Sequence, residues 1–147
     1  MAVHYIIASH GNMAKGIYHT YNYITQCEPE NLYIINAYTE NDSPAIQIDR
    51  CLSGIPEEDK ILVFTDIRQG SINQLFYTRL AQYDFFLVTG MNLSLLLELM
   101  TIKEEELNER KIQQVVEEAR REIEFMNIRF KAGQLENDDS QENDFMM

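Results

Sequence analysis

Over the first 90 residues, four short runs rich in apolar and β-branched side chains, at 3–9, 31–37, 60–66 and 84–89, alternate with helical patterns. That rhythm leaves a chain few folds to choose from. Strands that follow one another through helices pair in parallel, and the helices must cover both apolar faces of the sheet. The third run is apolar throughout at Ile61-Leu62-Val63-Phe64, as a central strand covered on both faces requires. The expected fold is therefore α/β in three layers, with a mostly parallel central sheet and crossover helices on both faces. The 147 residues suffice for one such domain but not for two of about 100–200 residues each.

The helical segments have their own signals. Met13, Ile17, Tyr21 and Ile24 recur at spacings that form one buried stripe. Ser43-Pro44 reads as a cap followed by proline at the first helical position, opening a helix that runs to about Ser53 and stops at Gly54. A third helix turns Leu75, Phe76 and Leu80 inward, and Leu93 to Met100 is a short, strongly apolar one. From Lys103 the chain is charged but periodic, with Ile112, Val115, Val116, Ala119, Ile123 and Met126 on one face of a long helix. The last fourteen residues hold Glu136, Asp138, Asp139, Glu142 and Asp144 and no base, a composition that favours disorder. The division is a domain over 1–133 and an acidic disordered tail over 134–147.

Charge narrows the partners. Twenty-four acids against twelve bases give a formal net charge of -12, which repels phosphate backbones and anionic lipid. Nucleic acid is therefore not expected as a partner, and a basic protein is. No apolar run approaches the roughly 18–20 residues that cross a bilayer, and Met1-Ala2-Val3-His4-Tyr5 has no basic leader region. No membrane insertion is expected, and the location expected is the cytoplasm. Cys27 and Cys51 lie outside any C-x-x-C pattern, so they read as reduced thiols, and neither a metal nor a cofactor is expected.

In a parallel sheet the carboxyl ends of all strands share one edge, where open α/β folds bind ligands. His10, followed at once by Gly11, ends the first run. Asp66 ends the third and leads through Gly70 into a helix at Ser71, while Gly90-Met91-Asn92 follows the fourth. An imidazole, a carboxylate and the amino end of a helix would then meet in one crevice. The helix end favours an anion. The carboxylate would fix the ring tautomer, leaving the other nitrogen as nucleophile. Those are the parts needed to make and hold phosphohistidine, with Gly70, Ser71 and their amides on the phosphoryl oxygens. Each member also has a quieter reading. His10 could close a turn, Asp66 or Ser71 could cap a helix, and Gly70 could serve only a tight bend. His4 and His19 read as structural or surface residues.

The run Ile7-Ala8-Ser9-His10-Gly11-Asn12-Met13-Ala14-Lys15-Gly16 resembles the H-G-x-[ML]-A-x-G segment of the mannose-family EIIA domain of the bacterial phosphoenolpyruvate:sugar phosphotransferase system (PTS). Val63-Phe64-Thr65-Asp66-Ile67-Arg68-Gln69-Gly70-Ser71 resembles its D-x-x-G-G-S segment, and Val88-Thr89-Gly90-Met91-Asn92-Leu93 its G-x-N-[LIV]-P segment. The resemblance spans about residues 1–127. It implies a phosphotransferase component in which His10 takes phosphate from the phosphocarrier HPr, Asp66 orients His10, and Ser71 contacts the phosphoryl group together with Gly11 and Gly70. The phosphate would pass to an EIIB partner that serves the membrane components EIIC and EIID. No EIIB-like extension follows, so EIIB is expected as a separate chain. The resemblance also implies a homodimer, with Asn127-Ile128-Arg129-Phe130-Lys131 as a C-terminal antiparallel strand exchanged between subunits. An acidic rim around the crevice would suit a basic phosphocarrier.

The chain departs from the family's pattern at Gln69, where glycine is usual, and at Ile72 and Ser94, where proline is. Two other functions stay open at this point. The phosphotransfer subunit of the dihydroxyacetone kinase system resembles this fold, although serine usually follows its histidine where Gly11 stands here. A regulatory module whose binding depends on phosphorylation of His10 is the other.

Overall fold

The computed structural model describes residues 1–39 and 41–140. Four strands, β1 (Val3–His10), β2 (Leu32–Ala37), β3 (Lys60–Thr65) and β4 (Phe86–Thr89), form one sheet in the order β2-β1-β3-β4. Every pairing is parallel. The helices are α1 (Met13–Thr25), α2 (Pro44–Ser53), α3 (Ser71–Arg79), α4 (Leu93–Leu99), α5 (Glu109–Arg120) and α6 (Met126–Ser140), with a 3-10 turn at Glu104–Glu106.

Alternation along the central strands divides the core in two. Tyr5, Ile7, Leu62 and Phe64 pack with Tyr21, Leu96, Leu99 and Val115 on the side of α1, α4 and α5. Ile6, Ala8, Ile61 and Val63 pack with Ile48, Leu52, Ile72 and Phe76 on the side of α2 and α3. The three expected layers are present. The chain leaves β1 for β2 on one side and returns to β3 on the other, which opens a crevice between the carboxyl ends of β1 and β3.

Local chemistry sets the helix starts. Ser43 accepts the Ile46 amide with Pro44 behind it, and Gly54 ends α2. Asn92 and Asn108 cap α4 and α5 by accepting the amides of Leu95 and Lys111, each at 2.8 Å. α1 is held differently: its Ala14 amide donates to the buried hydroxyl of Ser9 on β1 at 2.7 Å.

Several expectations need correction. The face of α1 turned to the core carries Ala14, Ile17, Tyr18 and Tyr21, while Met13 and Ile24 are exposed. The stripe is rotated because small Ala14 fits closest to the sheet. Leu80 is exposed at the end of α3, and buried Ile72 takes an inward place in the first turn. The expected long helix stops at Arg120, leaving Ile123 81% exposed and Met126 exposed. Spacing identifies a face, but past Ala119 the described residues offer no sheet or helix for it to cover.

Asn127–Lys131 is not a strand. It lies in α6, because within one chain these residues have no strand beside them, so their amides pair locally instead. Of the tail expected over 134–147, residues 134–140 continue α6, and 141–147 lie outside the described residues. Among the described residues no helix is long and apolar enough to cross a membrane.

Candidate active site

His10 is the last residue of β1. Its neighbour Gly11 stands at φ +60°, where a side chain would be strained, and this bend swings the chain into α1. The Gly11 amide donates to Ala37 O at 2.9 Å, so it extends the sheet and is not turned toward an incoming anion.

Asp66 follows β3 directly, and its carboxylate is held from three directions. Oδ2 accepts both the backbone amide and Nδ1–H of His10, each at 2.8 Å. Oδ1 accepts the Ile67 amide at 3.0 Å. Burial opposes ionisation here, but the amides of His10 and Ile67 and the imidazole outweigh it and hold the carboxyl below its usual range. An ionised Asp66 accepts a hydrogen bond from Nδ1–H and so keeps the proton on that nitrogen. That leaves the Nε2 lone pair free on a ring whose side chain is 39% exposed.

Ser71 stands on the other side of the ring, with Oγ 3.2 Å from Nε2. It is the first residue of α3, and Gly70 caps that helix. The amides of Ser71, Ile72 and Asn73 lie in the first turn, where no intrahelical acceptor exists. Gly70 does two jobs. Its own amide closes the loop onto Ile67 O at 3.2 Å, and its bare Cα supports the imidazole. A Cβ there would lie 2.8 Å from His10 Cε1 and 2.9 Å from Ile67 Cγ1, closer than such atoms can approach.

A buried network steadies this loop from behind. Thr65 Oγ1 lies 2.9 Å from Asn73 Oδ1 and 2.7 Å from Thr89 Oγ1, and the Asn73 amide nitrogen donates to Arg68 O at 3.0 Å. Gln69, where the resembling family has glycine, is not in the positive-φ region, so this turn makes no demand for glycine there. Ile72, in place of proline, is fully buried against the sheet.

The structure thus gathers His10, Asp66, Gly70 and Ser71. Gly90, at φ +74°, and Asn92 serve a turn and a cap, which is their quieter reading. His19 is exposed on α1, and His4 is buried at the opposite end of β1. Cys27 and Cys51 are free thiols, and burial pushes the Cys51 thiol up to about 11.

One residue of the site escaped the sequence reading. Tyr38, next after β2, stacks on His10 with ring centroids 5.7 Å apart, and its hydroxyl lies 2.8 Å from Ser71 Oγ. The available signal was its place: an aromatic residue one step past a strand end, on the edge that carries His10.

The expected acidic rim is absent from the described residues of these loops. Their acids are Asp66 itself and Asp42, which pairs with Arg50. Exposed Ile67, Met13 and Tyr38 stand there instead, with Arg68 and Lys15 also exposed.

Fold and site together define a doubly wound α/β domain with a carboxylate-supported imidazole at its switch point. The family described as PTS system fructose IIA component matches residues 4–120, and the chain belongs to that EIIA family. It is a IIA phosphocarrier component of a sugar PTS, of the mannose, fructose and sorbose type, and its family works with HPr and EIIB partners.

Solved structures agree. A Klebsiella pneumoniae protein provisionally named a phosphoenolpyruvate-dependent sugar PTS permease shares 31% identity over 86% of this chain and 93% of its own, with a TM-score of 0.78. The PTS IIA protein associated with the fucose utilization operon of Streptococcus pneumoniae has the same fold at 21% identity, covering 88% of this chain and 97% of its own, with a TM-score of 0.73. The mannose/sorbose specific IIA subunit of Enterococcus faecalis does so at 18% identity, over 81% and 92%, with a TM-score of 0.64. No curated protein matches the chain.

Proposed function

We propose that His10 is the residue that carries the phosphoryl group, receiving it on Nε2 from HPr and passing it to EIIB on a separate chain, which serves sugar entry through EIIC and EIID. The observation that carries this reading is the pairing of Nδ1 with ionised Asp66 while Nε2 faces Ser71 and the start of α3.

The steps follow from that geometry. The Nε2 lone pair attacks phosphorus in line, the P–N bond to the donor histidine breaks, and its electron pair returns to the donor's nitrogen. The Nδ1 proton stays in place, so the ring becomes cationic beside the Asp66 carboxylate, which offsets the charge. The Ser71 hydroxyl and the first-turn amides of α3 take the equatorial oxygens. Phosphoryl transfer depends mostly on such positioning and charge stabilisation. Transfer to EIIB reverses the sequence. Gly70 contributes as the floor under the ring, and Gly11 by its bend.

The same reading assigns 1–133 as the EIIA domain, with the acidic segment 134–147 appended, and places the protein in the cytoplasm, where its donor is expected. It includes a homodimer. Exposed Ile123, Phe125, Met126, Ile128, Phe130 and Leu135 in and before α6 are more apolar surface than one chain usually leaves uncovered, and a second copy would cover them, with or without strand exchange. Sedimentation of the purified protein tests that part.

Incubation with phosphoenolpyruvate, Enzyme I and HPr, followed by intact mass, tests the central part. One acid-labile phosphoryl group should appear on the wild type and none on His10→Ala. An unmodified wild type, under conditions that phosphorylate HPr, would overturn the reading.

A further inference from the structure

We propose that Tyr38 is a positioning residue for the phosphoryl-accepting nitrogen, acting through Ser71. The inference rests on the reading of His10 given above and adds a group that none of the three sequence motifs contains.

Proton accounting orders the hydrogen bonds. Asp66 is an acceptor, so Nδ1 is the donor and Nε2 carries a lone pair. Ser71 Oγ, 3.2 Å from Nε2, must therefore donate its one proton to that nitrogen. With that proton committed, the 2.8 Å contact between Ser71 Oγ and Tyr38 runs one way only, from the phenol to the serine oxygen. The chain is Tyr38 to Ser71 to His10 to Asp66. The phenol holds Oγ while leaving the serine proton free to swing. When a phosphoryl group takes the Nε2 lone pair, the serine hydroxyl gives up that nitrogen, turns aside and, still held by the Tyr38 phenol, donates its proton to an equatorial oxygen. The ring of Tyr38 lies over the imidazole at an interplanar angle of 26° and restrains its rotation.

The backbone supplies an independent observation. Tyr38 stands at φ +67°, and only Gln26 shares the positive-φ region among the described non-glycine residues. A left-handed conformation is costly for a bulky side chain, and Tyr38 is 59% exposed, so burial gives little return for it. Strain of this kind persists where the surroundings fix it, commonly at functional sites. In this conformation the phenol reaches Ser71 and the ring reaches His10.

Phosphoramidate tests the assignment without any protein partner. Nε2 attacks its phosphorus, the P–N bond breaks, and ammonia leaves with the electron pair. Labelling of His10 would be followed by intact mass in wild type, Tyr38→Phe, Ser71→Ala and the double variant, with Tyr38→Gly as a control for the fold. Tyr38→Phe keeps the ring and should slow labelling about threefold to tenfold, the worth of one net hydrogen bond. In the Ser71→Ala background the same change should have no further effect. Tyr38→Gly, free of strain at that φ, should keep its melting temperature while labelling more slowly than Tyr38→Phe.

With phospho-HPr as donor, Tyr38→Phe should lower kcat and leave KM unchanged, whereas a docking role would raise KM. Three results would each overturn the proposal: Tyr38→Phe labelling within twofold of wild type, a slowing that persists undiminished without the Ser71 hydroxyl, or a wild-type His10 that phosphoramidate does not label. Failure with phospho-HPr alone, with the phosphoramidate pattern intact, would overturn the carrier reading and support the assignment of Tyr38.

Discussion

Strand β1 carries a histidine–aspartate pair near each of its ends, and each pair has a tyrosine from β2 or the residue after it. At the amino end, His4 bonds Asp59 through Nε2 at 2.9 Å and the Tyr33 hydroxyl through Nδ1 at 3.1 Å, with Tyr33 stacked at 5.9 Å. At the carboxyl end, His10 bonds Asp66 through Nδ1 and faces Ser71 through Nε2, with Tyr38 stacked at 5.7 Å. The parts are nearly the same, yet only the second pair keeps a ring nitrogen toward the exposed carboxyl edge of the sheet.

His4 is 7% exposed, and both its nitrogens are taken by side chains fixed in the fold. Asp59 also accepts the Ala2 amide at 3.1 Å, so this pair ties down the start of the chain. At His10 the second nitrogen meets a small hydroxyl that can rotate, beside the start of α3. In a parallel sheet with crossover helices the helix amino ends gather at the carboxyl edge, and with them the unpaired amides and positive dipoles that attract phosphate. On the function proposed above, the edge decides which pair is a latch and which is a nucleophile.

The comparison can be broken by exchange. His10→Ala should abolish phosphorylation by phospho-HPr, whereas His4→Ala should be labelled at the wild-type rate; a slow His4→Ala would erase the distinction. Next in size, Asp66→Asn should cut the labelling rate about a hundredfold or more, since the tautomer is then no longer imposed. Gly70→Ala, which pushes a methyl against the imidazole, should slow labelling about tenfold with the fold intact by circular dichroism. The smallest effect on transfer belongs to the latch. His4→Ala should lower stability by about 1–3 kcal/mol in urea unfolding, since Asp59 Oδ2 and the Tyr33 hydroxyl both lose their imidazole partner, with transfer unchanged.

The pH dependence of that latch has a definite sign. The His4 imidazole, then the Ala2 amide, holds the Asp59 carboxyl below its usual range against burial. Its stabilisation is therefore full above the ordinary carboxylate range and is lost as pH falls through the lowered value. The difference in melting temperature between wild type and Asp59→Asn should shrink on acidification through that window, and a difference that grew would contradict the assignment.

Much of the fold was legible because strands and helices here are punctuated by residues with local reasons to be where they are. Ser43-Pro44, Gly54 and Asn92 act locally, so they read correctly without tertiary knowledge. His10, Asp66, Gly70 and Ser71 could be brought together because parallel topology alone aligns strand ends. What could not be read depended on context. Rotation of the α1 stripe toward Ala14 is a packing outcome, and the end of α5 at Arg120 depends on where the sheet runs out. Net charge said nothing of its distribution, and among the described loop residues at the site the exposed side chains include Ile67 and Arg68. Tyr38 matters only through a left-handed backbone that no residue pattern announces for tyrosine.

The most direct measurement is nitrogen-15 NMR of the imidazole in protein phosphorylated with phosphoenolpyruvate, Enzyme I and HPr. The phosphoryl group should sit on Nε2 of His10, with Nδ1 still protonated toward Asp66. A phosphoryl group on Nδ1, or on any residue other than His10, would contradict the account.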